Sequence, residues 1–131
     1  MKLLSSLAIL GLLLSLLSPQ NGAQRGKIAF TDITAASGIT FKHVASPEKK
    51  YIVESMSGGV ALFDYDNDGD LDIYLVNALT VDLVKTKGKT KSDLYRNDGD
   101  GKFTEVGVKA GVSDIGWGMG VAVGDYNNDG F

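Results

Sequence analysis

Apolar residues fall along the chain in two arrangements. Leu3 to Leu17 is an almost unbroken apolar run interrupted by serines and Gly11, and Lys2 is the only charge before Arg25. Beyond it, apolar residues come in short blocks: Gly59 to Phe63, Asp72-Ile-Tyr-Leu-Val76, Leu94-Tyr-Arg-Asn97 and Lys102-Phe-Thr-Glu-Val106. None of this later part sustains a 3.6-residue period over three turns, so no long helix is expected. Blocks rich in β-formers and bounded by Gly, Asp and Asn predict strands over 59–64, 72–76, 93–97 and 102–106. Asp98-Gly-Asp-Gly101 between the last two reads as a hairpin tip. Residues 77–91, with Thr80-Val-Asp-Leu-Val84 and a Lys/Thr/Gly-rich tail, are expected as an exposed insertion between strands.

The first run has the plan of a secretory signal peptide: a positive start, an apolar core, then small and polar residues. At about 15 residues it is shorter than the ~20 that a permanent membrane helix needs. Residues 1–23, with cleavage after Ala23, are expected to direct export, leaving residues 24–131 secreted, periplasmic or on the cell surface, with no membrane attachment after cleavage.

The exported part repeats itself, the usual mark of a repeat architecture. Phe30-Thr-Asp-Ile-Thr-Ala-Ala-Ser-Gly38-Ile39 returns as Phe103-Thr-Glu-Val-Gly-Val-Lys-Ala-Gly111-Val112. Gly59-Val-Ala-Leu-Phe-Asp64-Tyr-Asp-Asn-Asp-Gly69 returns as Gly120-Val-Ala-Val-Gly-Asp125-Tyr-Asn-Asn-Asp-Gly130. The first copy is longer by a stretch around His43 to Met56. By its likeness to Lys102–Val106, Lys27–Thr34 reads as an outer strand lacking its own blade. A four-stranded antiparallel unit repeated in tandem predicts an all-β protein, with residues 24–131 supplying one β-propeller blade and the start of a second.

Composition narrows the chemistry. The 131 residues hold 13 Lys+Arg against 16 Asp+Glu, a net charge of -3, which argues against nucleic acid as a partner. Hydrophobic residues at 44% are too many for a disordered chain. The absence of Cys excludes disulfides, thiolate zinc sites and a Cys nucleophile. Seventeen glycines without a G-X-Y period indicate many tight turns rather than collagen.

The candidate site is acidic. Asp64-Tyr-Asp66-Asn-Asp68-Gly69-Asp70-Leu-Asp72 places five carboxylates within nine residues. Alternating acids converge only if the chain curls, and Gly69 permits the left-handed turn that this needs. Oxygen donors at positions 1, 3, 5, 7 and 9 suit Ca²⁺, which takes 6–8 oxygens, better than Mg²⁺, which retains water. Asp64, Asp66, Asp68 and Asp72 are the expected side-chain ligands, and Asp70 the carbonyl donor. An EF-hand is excluded, since its twelfth position requires Glu and is Leu75 here, and its flanks must be helices. Asp125, Asn127 and Asp129 repeat the first three ligand positions, and Phe131 stands at the seventh. A ligand set cut short there reads as an N-terminal fragment of a longer protein whose further blades lie downstream.

These stretches, with Leu94-Tyr-Arg-Asn-Asp-Gly-Asp-Gly-Lys-Phe103 and Trp117-Gly-Met-Gly-Val-Ala-Val-Gly-Asp125, resemble FG-GAP/VCBS repeats. More narrowly, they are similar to the cartilage-acidic-protein-like (ASPIC/UnbV) group. The resemblance covers about residues 28–131. It implies an integrin-α-like propeller, Ca²⁺ in the loop between the first and second strands of a blade, and a C-terminal ASPIC/UnbV domain beyond this sequence.

No catalytic set emerges. His43 is the single histidine, no Gly-x-Ser-x-Gly elbow accompanies Ser55 or Ser57, and Gly116-x-Gly-x-Gly120 lacks the helix and Lys of a phosphate loop. Trp117 reads as packing near a propeller axis, and the Lys85–Lys91 cluster as a solvated insertion. The sequence therefore suggests a non-enzymatic, calcium-binding adhesion or scaffold module whose partner is an extracellular protein or glycan. The alternatives are a lectin-like propeller with Trp117 as sugar platform, or a non-catalytic part of a secreted propeller enzyme.

Overall fold

Each of the four β-rich blocks becomes a strand in the computed structural model, which describes residues 28–129. The strands β1 (Gly59–Phe63), β2 (Asp72–Val76), β3 (Asp93–Gly99) and β4 (Lys102–Glu105) form one antiparallel sheet in the order β1-β2-β3-β4. Gly59 faces Val76 and Phe63 faces Asp72 across the first pair. Tyr74 faces Leu94 across the second, and Tyr95 faces Glu105 across the third. β3 runs two residues beyond the expected boundary, through an irregularity between Asn97 and Gly99. Gly99, Asp100 and Gly101 all have positive φ and close the hairpin where the Asp-Gly-Asp-Gly motif predicts it.

The chain divides into two compact units, Met1–Thr31 and Asp32–Phe131. Residues 28–31 of the first form no helix or strand, and the expected signal peptide, 1–23, lies outside the described residues. Among the described residues no helix is long and apolar enough to cross a membrane.

The helices of the second unit are single turns: α1 (Thr34–Ser37), α2 (Ile52–Ser55), α3 (Val81–Lys85) and α4 (Gly107–Ala110), with a 3-10 turn at Pro47–Lys49. The repeat is visible in two of them. α1 and α4 occupy equivalent places in the two copies, and each ends at a left-handed glycine, Gly38 (φ 85°) and Gly111 (φ 75°). Of the segment read as an outer strand lacking its own blade, Lys27 is outside the described residues and 28–33 form no strand. The Thr34 N–H donates to Asp32 Oδ1 at 2.9 Å, and that local bond turns the chain into α1. Residues 119–125, which copy the β1 sequence, likewise form no strand. Just before them Gly118 accepts the Gly58 N–H on its carbonyl at 3.3 Å and donates its own N–H to the Asn77 carbonyl at 3.0 Å, and residues 119–125 then pass over the sheet. There they help line a groove of about 440 Å³ with Phe63, Tyr74 and Leu94.

The apolar core is small and lies where β2 and β3 meet the connection between them: Val76, Ala78, Leu94, Tyr95 and Val106. The connection is not the wholly exposed insertion expected, because Asn77, Ala78, Thr80 and Ser92 are buried. The buried polar groups have fixed partners. Asn77 Oδ1 accepts the Val44 and Ala78 N–H groups, and its Nδ2 donates to the Lys42 carbonyl. Glu54 accepts from the Ser46 and Val81 N–H groups at 2.7 and 2.8 Å, so the segment that lengthens the first copy is tied to the β2–β3 connection.

Lys91 holds the buried Asp93 at 2.6 Å and also bonds Glu105. The hydrogen bond to Asp93, then that to Glu105, raises the Lys91 pKa above the ordinary lysine value. The pairing therefore stabilises the fold fully below that ordinary value, and the contribution disappears as pH climbs through the raised one. Lys91→Met strands a buried carboxylate, so we expect a loss of about 2 kcal/mol, reduced from the fully buried case by the exposure of Lys91. Urea unfolding should show the same loss at neutral and mildly alkaline pH; no loss at either would show that Asp93 is held by the Ser113 hydroxyl and the Leu94 N–H alone.

Candidate metal centre

The loop between β1 and β2 is built by its own carboxylates. Asp64 follows β1, and its two oxygens accept the Asp68 and Gly69 N–H groups at 3.1 and 2.9 Å. Asp68 Oδ1 accepts the Asp70 N–H at 2.9 Å. Side chains that accept from backbone two to five residues ahead curl the chain inward. Two left-handed residues complete the curl: Gly69 (φ 94°), as its position suggests, and Asn67 (φ 60°), which the reading for glycines overlooked although Asn tolerates this region.

Asp72 closes the loop from the sheet. It opens β2 opposite Phe63, is fully buried, and accepts the Tyr65 N–H on Oδ2 at 2.8 Å and the Asn97 N–H on Oδ1 at 2.7 Å. One carboxylate thus pins the start of the loop and the middle of β3. Asn97 Nδ2 adds a bond to the Leu71 carbonyl at 3.2 Å.

Asp64, Asp66 and Asp72 come together, each offering one oxygen within 4.8 Å of the others. Asp68 and Asp70 are exposed and stand outside this trio. The trio runs from a buried anchor through half-buried Asp64 to exposed Asp66, so it has one face open to solvent. Desolvation, then the charges of Asp68, Asp72 and Asp64, push the Asp66 carboxyl above the usual carboxylate range, against a smaller opposing pull from Arg96. A group of hard oxygen donors that repel one another is suited to a hard cation. Among the described residues no other group of three His, Cys, Asp or Glu side chains could hold a metal ion.

The second copy repeats the construction. The Asp129 N–H donates to Asp125 Oδ1 at 3.2 Å, as Asp68 does to Asp64, and Asn128 (φ 58°) is left-handed like Asn67. Asn127 Nδ2 donates to Asp129 Oδ2 at 2.7 Å. Asp98 belongs to the hairpin: the Thr104 hydroxyl, and then Arg96, which donates from Nη2 at 2.6 Å and from Nε at 2.9 Å, hold its carboxyl below the usual range. Trp117 has its indole Nε1 buried without a partner, so the polar edge of the ring is turned inward.

Residues 79–131 match the family model of an FG-GAP-like repeat. No curated protein and no solved structure matches the chain. The match spans the β2–β3 connection, β3, β4 and the Asp125–Asp129 turn, and the internal repeat relates that turn to the fuller Asp64–Asp72 loop. Residues 79–131 are thus similar to an FG-GAP-like repeat, and β1, β2 and the carboxylate trio that could hold a metal ion between them precede the matched residues on the same four-stranded antiparallel sheet.

Proposed function

We propose that this chain is the exported beginning of a calcium-binding β-propeller, in which β1–β4 form a blade and the protein acts by binding, as an adhesion or scaffold module. The convergence of Asp64, Asp66 and Asp72 between the first two strands carries the reading. A bound Ca²⁺ takes its oxygens from this trio, with Asp68 and the Asp70 carbonyl completing the shell. Asp125, Asn127 and Asp129 begin the equivalent loop of the next blade, and further blades with an ASPIC/UnbV-type domain follow downstream, as the resemblance to that group implies. The role is non-enzymatic. The single histidine lies 3.5 Å from the Ser57 hydroxyl, but that hydroxyl donates to the Glu54 carbonyl at 2.9 Å, so its proton is turned away from the imidazole.

The experiment is a thermal melt of the full chain in calcium and in chelator. At ~1 mM free Ca²⁺ and a Kd of ~0.1 mM, binding contributes about 1.4 kcal/mol per site. Asp66→Ala should abolish most of the calcium shift while leaving the chelated protein as stable as before or slightly more so, because a mutually repelling charge has gone. Asp70→Ala should keep the shift. An unchanged wild-type melt in chelator would reduce the loop to an acidic turn.

A further inference from the structure

One row of residues runs across the sheet from the acidic loop to the hairpin. Phe63 faces Asp72 across β1 and β2, the register that sets Ile73 opposite Tyr95 brings Asp72 across from Arg96, and Arg96 faces Thr104 on β4. Residues directly opposed in an antiparallel pair lie on one face with their Cβ atoms about 5 Å apart. Arg96 is thereby the cross-strand neighbour of the buried member of the trio. The next residue, Asn97, donates its N–H to Asp72 Oδ1 at 2.7 Å, which fixes β3 against the loop. Asp64 and Asp66 each bring an oxygen within 4.8 Å of Asp72. A guanidinium therefore stands beside the carboxylates that would hold the metal.

Its charge is held to one side. Arg96 donates from Nη2 and Nε to a single oxygen of Asp98, at 2.6 and 2.9 Å, and the Thr104 hydroxyl donates to the other oxygen. Those hydrogen bonds, and then the charge of Asp98, favour the charged guanidinium, and Asp66 adds a weaker attraction. In return Arg96 is the one cation among the charges that act most strongly on the Asp66 carboxyl, alongside Asp68, Asp72 and Asp64. Asp98 is not in that set, so it works on the loop through Arg96. A bound divalent ion and Arg96 thus seek the same oxygens.

We infer that Arg96 competes with the cation for the carboxylate trio and that Asp98, braced by Thr104, holds it back, so that the β3–β4 hairpin sets how tightly the β1–β2 loop binds its metal. The acids of an empty loop repel one another, and a neighbouring guanidinium relieves part of that repulsion from outside the loop. An arriving divalent ion makes that relief redundant and meets the same positive charge at short range, which lowers its affinity. Asp98 works in the opposite sense, because its bonds keep the guanidinium from swinging onto Asp66. The side chains of Arg96 and Asp98 are 38% and 30% exposed, so water and salt screen the effect to a moderate one. The inference deepens the metal reading and rests on it, and it assigns part of the loop's affinity to residues that ligate nothing.

Calorimetric titration of the full chain with calcium reads the affinity, and melts in chelator and in calcium read the fold. Arg96→Met should bind calcium about fivefold more tightly, and Asp98→Ala about fivefold more weakly. In the Arg96→Met background, Asp98→Ala should cost roughly twofold at most, because no guanidinium remains to be released. In chelator Arg96→Met should melt below wild type, having lost its relief of the acids, yet its calcium shift should be larger. A merely structural role for the hairpin would lower both melts and leave the affinity alone. Unchanged affinity in Arg96→Met, or an Asp98→Ala loss equally large in both backgrounds, would overturn the inference. If Arg96→Met fails to fold, Arg96→Gln, which keeps a donor for Asp98, is judged by the same affinity. A wild type that binds no calcium removes the metal reading and this one together, whereas calcium binding indifferent to Arg96 removes this one alone.

Discussion

Asp72→Ala is expected to be the most damaging change in the acidic loop, with or without metal. Its carboxylate is fully buried and accepts the backbone N–H groups of Tyr65 and Asn97 at 2.8 and 2.7 Å. Hydrogen bonds to an ionised acceptor contribute more than neutral ones, and the variant leaves two donors without it. A loss of about 3 kcal/mol or more is expected, enough to unfold a marginal sheet. Asp72→Asn retains one acceptor oxygen and should fall between. Urea unfolding in chelator is the decisive measurement, because there Asp66→Ala should cost nothing. If Asp66→Ala and Asp72→Ala behave alike in chelator, Asp72 is a metal ligand without a scaffold role.

Gly107→Ala is expected to match it at the other end of the sheet. A Cβ at Gly107 would lie 2.1 Å from Asp93 Oδ1, 2.7 Å from Ser113 Oγ and 2.9 Å from the Leu94 backbone nitrogen. None of these yields easily: Asp93 is buried and bound to Lys91, and the Leu94 nitrogen belongs to β3. Relieving the overlap must shift α4 or break the Asp93 pairing, at about 3 kcal/mol. Gly120→Ala is the control, since nothing lies within 4 Å of its added carbon; it should be neutral or raise stability by up to about 1 kcal/mol. Comparable melting temperatures for the two variants would refute the packing at Gly107.

The strands and the hairpin were legible because their signals are local: short β-rich blocks, and a Gly-Asp turn that only left-handed residues can make. The loop was legible as a crowd of acids, but the trio within it was not. Which acids meet depends on the register that sets Asp72 opposite Phe63 and on the pairing of β2 with β3, and neither is written near the loop. For the same reason Glu54, Asn77 and Thr80 read as ordinary polar residues and proved to be buried ties between distant segments. Lys27–Thr34 and Gly120–Asp125 carry strand-like sequence, yet a strand forms only where a neighbour offers its ladder, and the Asp32–Thr34 bond turns the first away before it finds one.

The two edges of this sheet are not alike. Along β4 the approach is occupied: a Cβ on Gly38 would lie 2.7 Å from the Phe103 carbonyl oxygen, and Lys102 bonds the Ala36 carbonyl from beneath. Along β1 the chain comes close at the start, where a Cβ on Gly59 would lie 3.1 Å from Gly120 Cα, and Val60 and Leu62 stand 61% and 59% exposed further along. The sheet therefore has a direction of growth, capped on one side and receptive on the other. An added strand would find its ladder along β1, since the covered β4 edge offers none.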